Sequence, residues 1–263
     1  MSLRQISVEP PCRPLNPVPF PGTRRAETVG HAFPLHPECA AAQLYATDRR
    51  TVAAGVDLVS EFDTCDSVFI VLSGWMALKR ILEDGRQQIL DFVLPGSIVG
   101  NPTGAAVMSH SIEALTDTEV AVIPQSRIPE MMSAAPSAAM ALLTSAQRAL
   151  ANAYDSLTDI GRRSAREAVA SFLLRMERRI RDACGERADG SLEFPLTQEN
   201  IGDALGLTAV HVCRTLRALS KEGVVCAGRK GLVVRDRAAL AEIAGAEPEF
   251  GEEALPARYA LAH

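Results

Sequence analysis

The stretch "LTQENIGDALGLTAVHVCRTLRALSKEGVV" (196–225) decides the fold of the C-terminal part of the chain. Thr197 is a good N-cap for a short helix that ends near Leu205, and Thr208 can cap a longer helix that Gly223 ends. A short helix, a glycine-containing turn and a longer helix are the layout of a helix-turn-helix. The apolar residues of this unit predict its core, formed by Ala204, Leu205, Leu207, Val212, Leu216 and Leu219.

A β-hairpin is predicted directly behind the second helix. The segment "VVCAGRKGLVVRD" (224–236) alternates between polar and apolar residues and turns at 228–231. Arg229 and Lys230 then lie at the tip of the hairpin. A hairpin in this position is the wing of a winged helix-turn-helix.

The distribution of charge singles out the same region. The 263-residue chain has a net charge of −5, yet residues 163–237 hold 14 basic and 10 acidic side chains, a net charge of +4. The segments 1–162 and 238–263 are both net acidic. A basic segment inside an acidic chain predicts that one domain meets a polyanion while the other does not.

A long amphipathic helix is predicted upstream, from Pro136 to Gly161. Its seam steps by three and four residues, as in a coiled coil, through Met140, Leu143, Gln147, Leu150, Tyr154 and Leu157. The seam faces either the β-rich part of the same chain or the same helix of a second copy. Its spacing and length favour a homodimer.

Short strands without intervening helices are predicted between Thr51 and Pro124. In "SVFIVLSGWMALKRILEDGRQQILDFVLPGSIVG" (67–100), β-rich runs are broken by glycine and proline. The letters "EDGR" (83–86) are typical of a hairpin turn, and "LPG" (94–96) of another sharp turn. This pattern predicts an antiparallel barrel or sandwich.

Composition limits the location and the chemistry. No apolar run approaches the ~18–20 residues of a membrane helix, and the N-terminus lacks a signal-peptide pattern, so a cytoplasmic protein is expected. The six cysteines are irregularly spaced and include no CxxC pair, which favours reduced thiols.

Four stretches, in this order and spacing, resemble the Crp/Fnr superfamily of bacterial transcription regulators, with the closest likeness to FixK/Fnr-like members. They are similar to its effector β-roll ("FIVLSGWMALKRILEDGRQQILDFVLPGSIVG", 69–100), its dimer helix (136–160), its interdomain junction ("GRRSAREAVASFLL", 161–174) and its helix-turn-helix ("LTQENIGDALGLTAVHVCRTL", 196–216). The resemblance implies a homodimeric DNA-binding regulator that reads a palindromic site and contacts RNA polymerase.

The fold class expected is α+β, and the resemblance divides the chain into five segments. These are a disordered proline-rich arm (1–35), an antiparallel β-roll like a cyclic-nucleotide-binding domain (36–133), a dimerisation helix (134–161), a winged helix-turn-helix (162–240) and an acidic tail (241–263). Eight of the sixteen prolines lie within residues 1–40, a density that blocks helices and strand ladders alike.

The sequence departs from the cyclic-nucleotide-binding members of this superfamily. Those members carry a glutamate and an Arg-Ser/Thr pair after the "PG" turn, where they bind the ribose and the cyclic phosphate. Here the stretch is "GSIVGNPTGAAVMSHSIEAL" (96–115), and no arginine or lysine occurs between Arg86 and Arg127. A phosphate buried without a cationic or backbone clamp is costly, so cyclic AMP is not expected as the effector.

The cofactor signatures of related sensors are also incomplete. The segment "HPECAAAQLYATD" (36–48) occupies the place of an iron–sulfur cassette but holds only Cys39, whereas a cluster normally needs four protein ligands. His36 and Cys39 could begin a zinc site, but no second pair is evident. We expect a leftover surface cysteine, a structural role for His110 rather than haem ligation, and no cofactor.

The recognition helix also departs from the Fnr-like pattern, in which a glutamate is followed after two residues by Ser-Arg or Gly-Arg. Arg214 can still pair with guanine O6 and N7, while Val210 stands at the glutamate position and offers only apolar contact, for example to a thymine methyl. Arg217, Arg229 and Lys230 are better placed for phosphates. The DNA-binding residues predicted are Thr208, Ala209, Val210, His211, Cys213, Arg214, Arg217, Arg229 and Lys230.

Two of these residues leave alternatives open. His211 either reaches a phosphate or only closes the helix cap. Cys213 either supplies a small side chain at a tight contact or acts as a redox switch, since a thiol near a helix N-terminus and arginines tends towards thiolate.

Three functions follow in order of expectation. The first is a sequence-specific transcription regulator of the Crp/Fnr type, and the second is a regulator gated by an unidentified small ligand in the β-roll. The third, a cupin-like metal-dependent barrel enzyme, needs clustered His and Glu ligands. The chain has five histidines and no HxH motif. The sequence therefore predicts no catalytic residue and disfavours an enzyme.

Overall fold

The computed structural model describes residues 37–103, 107–184, 194–227 and 232–245. The predicted arm (1–35) and most of the acidic tail lie outside the described residues. The N-terminal strands are β1 (Asp48–Val52), β2 (Asp57–Val59), β3 (Ser67–Ser73), β4 (Met76–Ile81), β5 (Gln87–Val93), β6 (Ile98–Gly100), β7 (Ser111–Ala114) and β8 (Thr118–Pro124). In the described ranges they form two four-stranded sheets, ordered β1-β8-β3-β6 and β2-β7-β4-β5, with antiparallel neighbours.

Both sharp turns predicted in the β-rich segment are confirmed. In the "EDGR" hairpin, Gly85 has a φ of 84° and its N–H donates to the Leu82 carbonyl at 2.9 Å. In the "LPG" turn, Gly96 has a φ of 86° and the Ser97 N–H donates to the Leu94 carbonyl at 3.0 Å. Glycine adopts these positive φ angles without the steric cost that a Cβ would add.

Apolar side chains from both sheets fill the interior of the β-roll. The buried members of this cluster are Val52, Cys65, Phe69, Val71, Met76, Val93, Met108, Ile112, Ala114, Val120 and Val122. Side chains alternate between this interior and the outer faces of the sheets, because successive residues of a β-strand point to opposite sides. The described part of the N-terminal domain therefore has a packed apolar core.

The short helices α1 (Pro37–Gln43) and α2 (Ile128–Ala134) pack with the start of α3 (Pro136–Arg162) on the outer face of the first sheet. This packing corrects the prediction for Cys39. That residue is 8% exposed, and its thiol donates to the Gly96 carbonyl at 3.0 Å. It is a buried cysteine rather than a surface one because α1 turns it towards the β-roll.

The long helix α3 begins at Pro136, as predicted, but continues through Gly161 to Arg162. The side of α3 that faces the β-roll carries mostly small and polar residues, among them Ala138, Ala141, Ser145 and Asn152. The Ser145 hydroxyl accepts from the Ile98 N–H at 3.3 Å and donates to its carbonyl at 3.1 Å. Small residues let the helix lie close to the sheet, and the predicted seam is on the opposite side.

The C-terminal part comprises α4 (Ala165–Cys184), α5 (Gln198–Leu205), α6 (Ala209–Lys221), β9 (Val225–Ala227), β10 (Leu232–Val234) and α7 (Arg237–Ala244). Its core is continuous with the outer face of the second sheet, where Trp75 and Phe92 join Phe172 and Met176. The Phe92 and Phe172 rings are 5.6 Å apart at 66°, an edge-to-face contact. The α+β architecture expected from the sequence is confirmed.

A buried ion network lies where α3 meets α4. The Asp159 carboxylate, whose side chain is fully buried, accepts from Arg163 and, at 2.8 Å, from Arg175. Arg163 also donates to the Ser171 hydroxyl at 2.6 Å, and Arg175 lies 6.0 Å from the centre of the Phe172 ring. The network joins the end of one helix to the first half of the next across the two-residue junction 163–164.

Candidate DNA-binding surface

The first helix of the helix-turn-helix begins with a capping box. The Thr197 hydroxyl accepts from the Asn200 N–H at 3.0 Å, and the Asn200 side chain accepts from the Thr197 N–H at 2.9 Å. The helix ends at Leu205, and Gly206 follows with a φ of 65°. These local interactions confirm the helix bounds expected from the sequence.

The turn depends on a glycine that sequence reasoning did not single out. A Cβ built on Gly202 would lie 2.5 Å from the Leu207 carbonyl oxygen. The close approach lets the Leu207 N–H donate to the Gly202 carbonyl at 2.9 Å. A glycine inside a short helix is the sequence signal that marks such an approach.

The second helix, α6, has one buried and one open face. Thr208 caps it by accepting from the His211 N–H at 3.2 Å, and Val212, Leu216 and Leu219 are buried below. The remaining predicted residues of α6 occupy the opposite side. Val210, His211, Arg214 and Arg217 are exposed, and Ala209 and Cys213 are half-buried.

The arginine side chains on this open face have no protein partner among the described residues. Within the described ranges, Arg214 and Arg217 make no hydrogen bond or ion pair, whereas Arg166 of α4 is paired with Glu222. Unpaired guanidinium groups beside the N-terminal half of a helix are available for phosphates and base edges. Val210, 69% exposed, adds an apolar contact point to the same face.

The hairpin behind α6 is confirmed. Strands β9 and β10 pair in antiparallel register, with Cys226 opposite Val233. The Arg235 Nε donates to the Cys226 sulfur at 3.2 Å. Arg229 and Lys230, predicted at the tip, lie outside the described residues.

Comparison with known proteins identifies the type of domain on both sides of α3. A family described as "Crp-like helix-turn-helix domain" matches residues 167–243, and one described as "Cyclic nucleotide-binding domain" matches residues 49–135. Transcriptional activator protein FnrL of Cereibacter sphaeroides is 33% identical over 205 residues, which cover 77% of this chain and 82% of that protein. The chain belongs to the Crp/Fnr family.

Other relatives of the Crp/Fnr family agree. Nitrogen fixation regulation protein FixK of Bradyrhizobium diazoefficiens is 35% identical over 196 residues, or 74% of this chain and 81% of FixK. The structure of FixK2 from Bradyrhizobium japonicum superimposes with a TM-score of 0.68 at 29% identity, covering 76% of this chain and 98% of FixK2. The family consists of transcription regulators, so the enzyme alternative is set aside.

The β-roll of this chain has an apolar interior beside the segment 96–115, which departs from the cyclic-nucleotide-binding pattern. Met108 and Ile112 are buried there, and residues 104–106 lie outside the described residues. Half-buried His110 is next to them, with the Ser109 hydroxyl 3.1 Å from its Nδ1. Burial lowers the pKa of His110, with the Arg80 guanidinium adding to this effect and the Glu61 carboxylate opposing it.

The α3 seam is open to solvent rather than packed on the β-roll of the same chain. The apolar residues of the predicted seam range from 50% exposed for Met140 to 70% for Leu157. Gln147 is also exposed, and Ile160, which was not predicted, extends the apolar strip at 48% exposed. This outcome removes the alternative in which the seam covers its own barrel.

Two further observations concern sites and membranes. In the part of the chain that the structure describes, no three His, Cys, Asp or Glu side chains are close enough together to hold a metal ion. None of the helices within those ranges combines the length and apolar character that crossing a membrane requires.

Proposed function

We propose that the protein is a homodimeric, sequence-specific DNA-binding transcription regulator of the Crp/Fnr type that reads a palindromic promoter site. One observation carries the proposal: the outer face of α6, with Arg214 and Arg217 unpaired among the described residues, is open to solvent within a family-matched helix-turn-helix. The family relationship supports DNA binding. The details of readout follow from the side chains of α6.

Helix α6 enters the major groove with its N-terminal half towards the bases. Arg214 forms a bidentate pair with guanine O6 and N7, and Val210 contacts a thymine methyl on the same strand or its complement. Arg217, with Arg229 and Lys230 predicted at the tip of the wing, binds phosphates and sets the register. The His211 side chain is exposed beside the Thr208 cap and has room to reach a phosphate.

The open α3 seam supports dimerisation. Two copies that bury their seams against each other form a coiled coil with two-fold symmetry. The two recognition helices then meet an inverted repeat with half-sites about one helical turn, ~34 Å, apart. A regulator of this kind works on DNA in the cytoplasm and contacts RNA polymerase, in keeping with relatives named as transcriptional activators.

The effector is the second part of the proposal. Neither cyclic AMP nor an iron–sulfur cluster controls the protein. The segment between Arg86 and Arg127 holds no arginine or lysine, and the Cys39 thiol is buried and hydrogen-bonded to the Gly96 carbonyl. The competing possibility is gating by another small ligand. Native mass spectrometry of freshly isolated protein detects a bound small ligand. Gel shifts with and without cyclic AMP show whether cyclic AMP changes DNA binding.

Selection from random duplexes tests the central proposal. The wild-type protein should enrich an inverted repeat, and a footprint should cover both half-sites. The logarithm of the binding constant should fall linearly with the logarithm of salt concentration, with a slope of about −0.9 per phosphate contacted. Equal binding to every duplex, with no footprint at an inverted repeat, would contradict the proposal.

Arg214→Ala should lower affinity for the selected site by about 1–3 kcal/mol and relax the preference at one guanine per half-site. Arg217→Ala is the matched control on the same exposed face. It should weaken binding to all sequences alike and reduce the salt slope by about one. If both variants lose affinity without any change in base preference, Arg214 is a phosphate contact.

Cys213 is proposed as a redox-sensitive position at the DNA surface. Its thiol is free and half-buried, one residue before Arg214. Oxidation to a sulfinic acid would set a negative charge against phosphate. A peroxide titration of DNA binding should therefore inactivate the wild type but spare Cys213→Ser. Equal loss in both proteins, or none in either, would leave Cys213 as a small residue in a tight place.

A further inference from the structure

The helix-turn-helix is joined to the β-roll by more than the α3–α4 junction. Arg179 of α4 donates through Nη1 to the Asp91 carboxylate of β5 at 2.7 Å and through Nη2 to the Phe92 carbonyl. The Asn152 amide of α3 donates to the other Asp91 oxygen at 3.1 Å. Three elements from three segments of the chain therefore meet at one carboxylate.

The site is shielded from water. The side chains of Asp91 and Arg179 are 16% and 17% exposed, and the Phe92–Phe172 ring contact lies beside them. A charge-assisted, forked contact of this kind fixes orientation as well as distance. A partly buried arginine also has no equally good partner if the domain turns away.

Strand β5 holds the helix-turn-helix at a second point. The Gln87 amide donates to the Asp203 carboxylate of α5 at 3.2 Å, and the Gln88 amide donates to the Ala204 carbonyl at 3.2 Å. Burial in this contact raises the pKa of Asp203. Because α5 packs directly on α6, a domain held at β5 holds the recognition helix too.

We propose that Asp91 and Arg179, with Asn152, are positioning residues that hold the helix-turn-helix in one orientation on the β-roll, so that the dimer presents its two recognition helices at one half-site spacing. The inference rests on the proposed function, because spacing has meaning only for a dimer on two half-sites. Without this contact, the Gln87 and Gln88 contacts and the shared apolar core hold the domain less firmly on β5, and α6 samples a wider range of spacings.

The test compares Asp91→Asn, Arg179→Gln and the double variant with the control Glu113→Gln. Asp91→Asn keeps the shape of the side chain and is the milder change. Glu113 is 19% exposed and pairs with Lys79 at 2.9 Å, so it matches the burial of Asp91, but both partners lie within one sheet of the β-roll. Thermal unfolding of each variant records any loss of stability.

The probe is the inverted repeat that the wild-type protein selects, together with duplexes whose central spacer is one base pair shorter or longer. The ratio of affinities for correct and altered spacing should fall about fivefold or more in each single variant, and no further in the double variant. The control should keep the wild-type ratio. An unchanged ratio in both single variants, or an equal fall in the control, would overturn the inference.

The outcome also separates this inference from the proposed function. If the wild type selects no inverted repeat, the proposed function is wrong and the positioning role is wrong with it. If the wild type selects one and the Asp91 and Arg179 variants discriminate spacing as it does, only the positioning role is wrong.

Discussion

Replacing Asp159 by alanine should lower the free energy of unfolding by about 3–5 kcal/mol, the range expected when one partner is removed from a buried ion pair. The Asp159 side chain is fully buried and is shared by Arg163 and Arg175. The Arg175 side chain is itself 7% exposed. Its guanidinium would be left without an anion in a place that water hardly reaches, which is the costly part of the change.

Denaturant unfolding followed by circular dichroism measures this loss, with Asp155→Ala as the control. Asp155 lies one turn earlier on the same helix and is exposed. Both variants gain the same helix propensity from alanine, so the difference between them reports burial and pairing. A loss below about 1 kcal/mol for Asp159→Ala would mean that the network contributes no more than a surface ion pair.

Glutamate at Leu150 and Leu157 together should convert the dimer into monomers. Both leucines are more than half exposed on α3, and each substitution occurs twice across a two-fold interface. The apolar burial lost is worth about 3 kcal/mol or more per dimer, which corresponds to at least about a 100-fold weaker association. Four carboxylates facing one another across the seam would add repulsion.

Sedimentation equilibrium over a range of concentrations measures the dissociation constant, and a gel shift on the selected palindrome should lose affinity in parallel. Arg148→Glu is the control, because it adds the same side chain to the same helix at an exposed position about 100° or more away from the seam. A double-leucine variant that remains as dimeric as wild type would show that the seam is not the interface.

The elements of the DNA-binding surface could be predicted because their signals are local. Thr197 and Thr208 cap helices through atoms only three residues away, and Gly206 takes a left-handed conformation that its missing Cβ allows. The exposed face of α6 follows from the helical period of 3.6. The period also identified the seam of α3, although not which of two partners it faces.

Other features could not be read in this way because their partners are far apart in the chain. Arg179 reaches Asp91 across 88 residues, and Cys39 reaches Gly96 across 57. A lone cysteine before the β-roll carries no sign that a short helix will turn it inwards, so its predicted exposure was wrong. The role of Gly202 was not predicted, because its close approach to Leu207 exists only once the turn has formed.

Local periodicity, caps and turn residues by themselves predicted an antiparallel barrel or sandwich, a long helix and a winged helix-turn-helix in that order, since each depends on neighbours within a few residues. Tertiary structure alone decided that α3 turns its small and polar side to the β-roll and leaves the leucine seam open. It also decided that Asp91 meets Arg179 and that Asp159 is buried between two arginines. Such contacts depend on where distant segments are brought together in three dimensions, and that information is not contained in any short window of the chain.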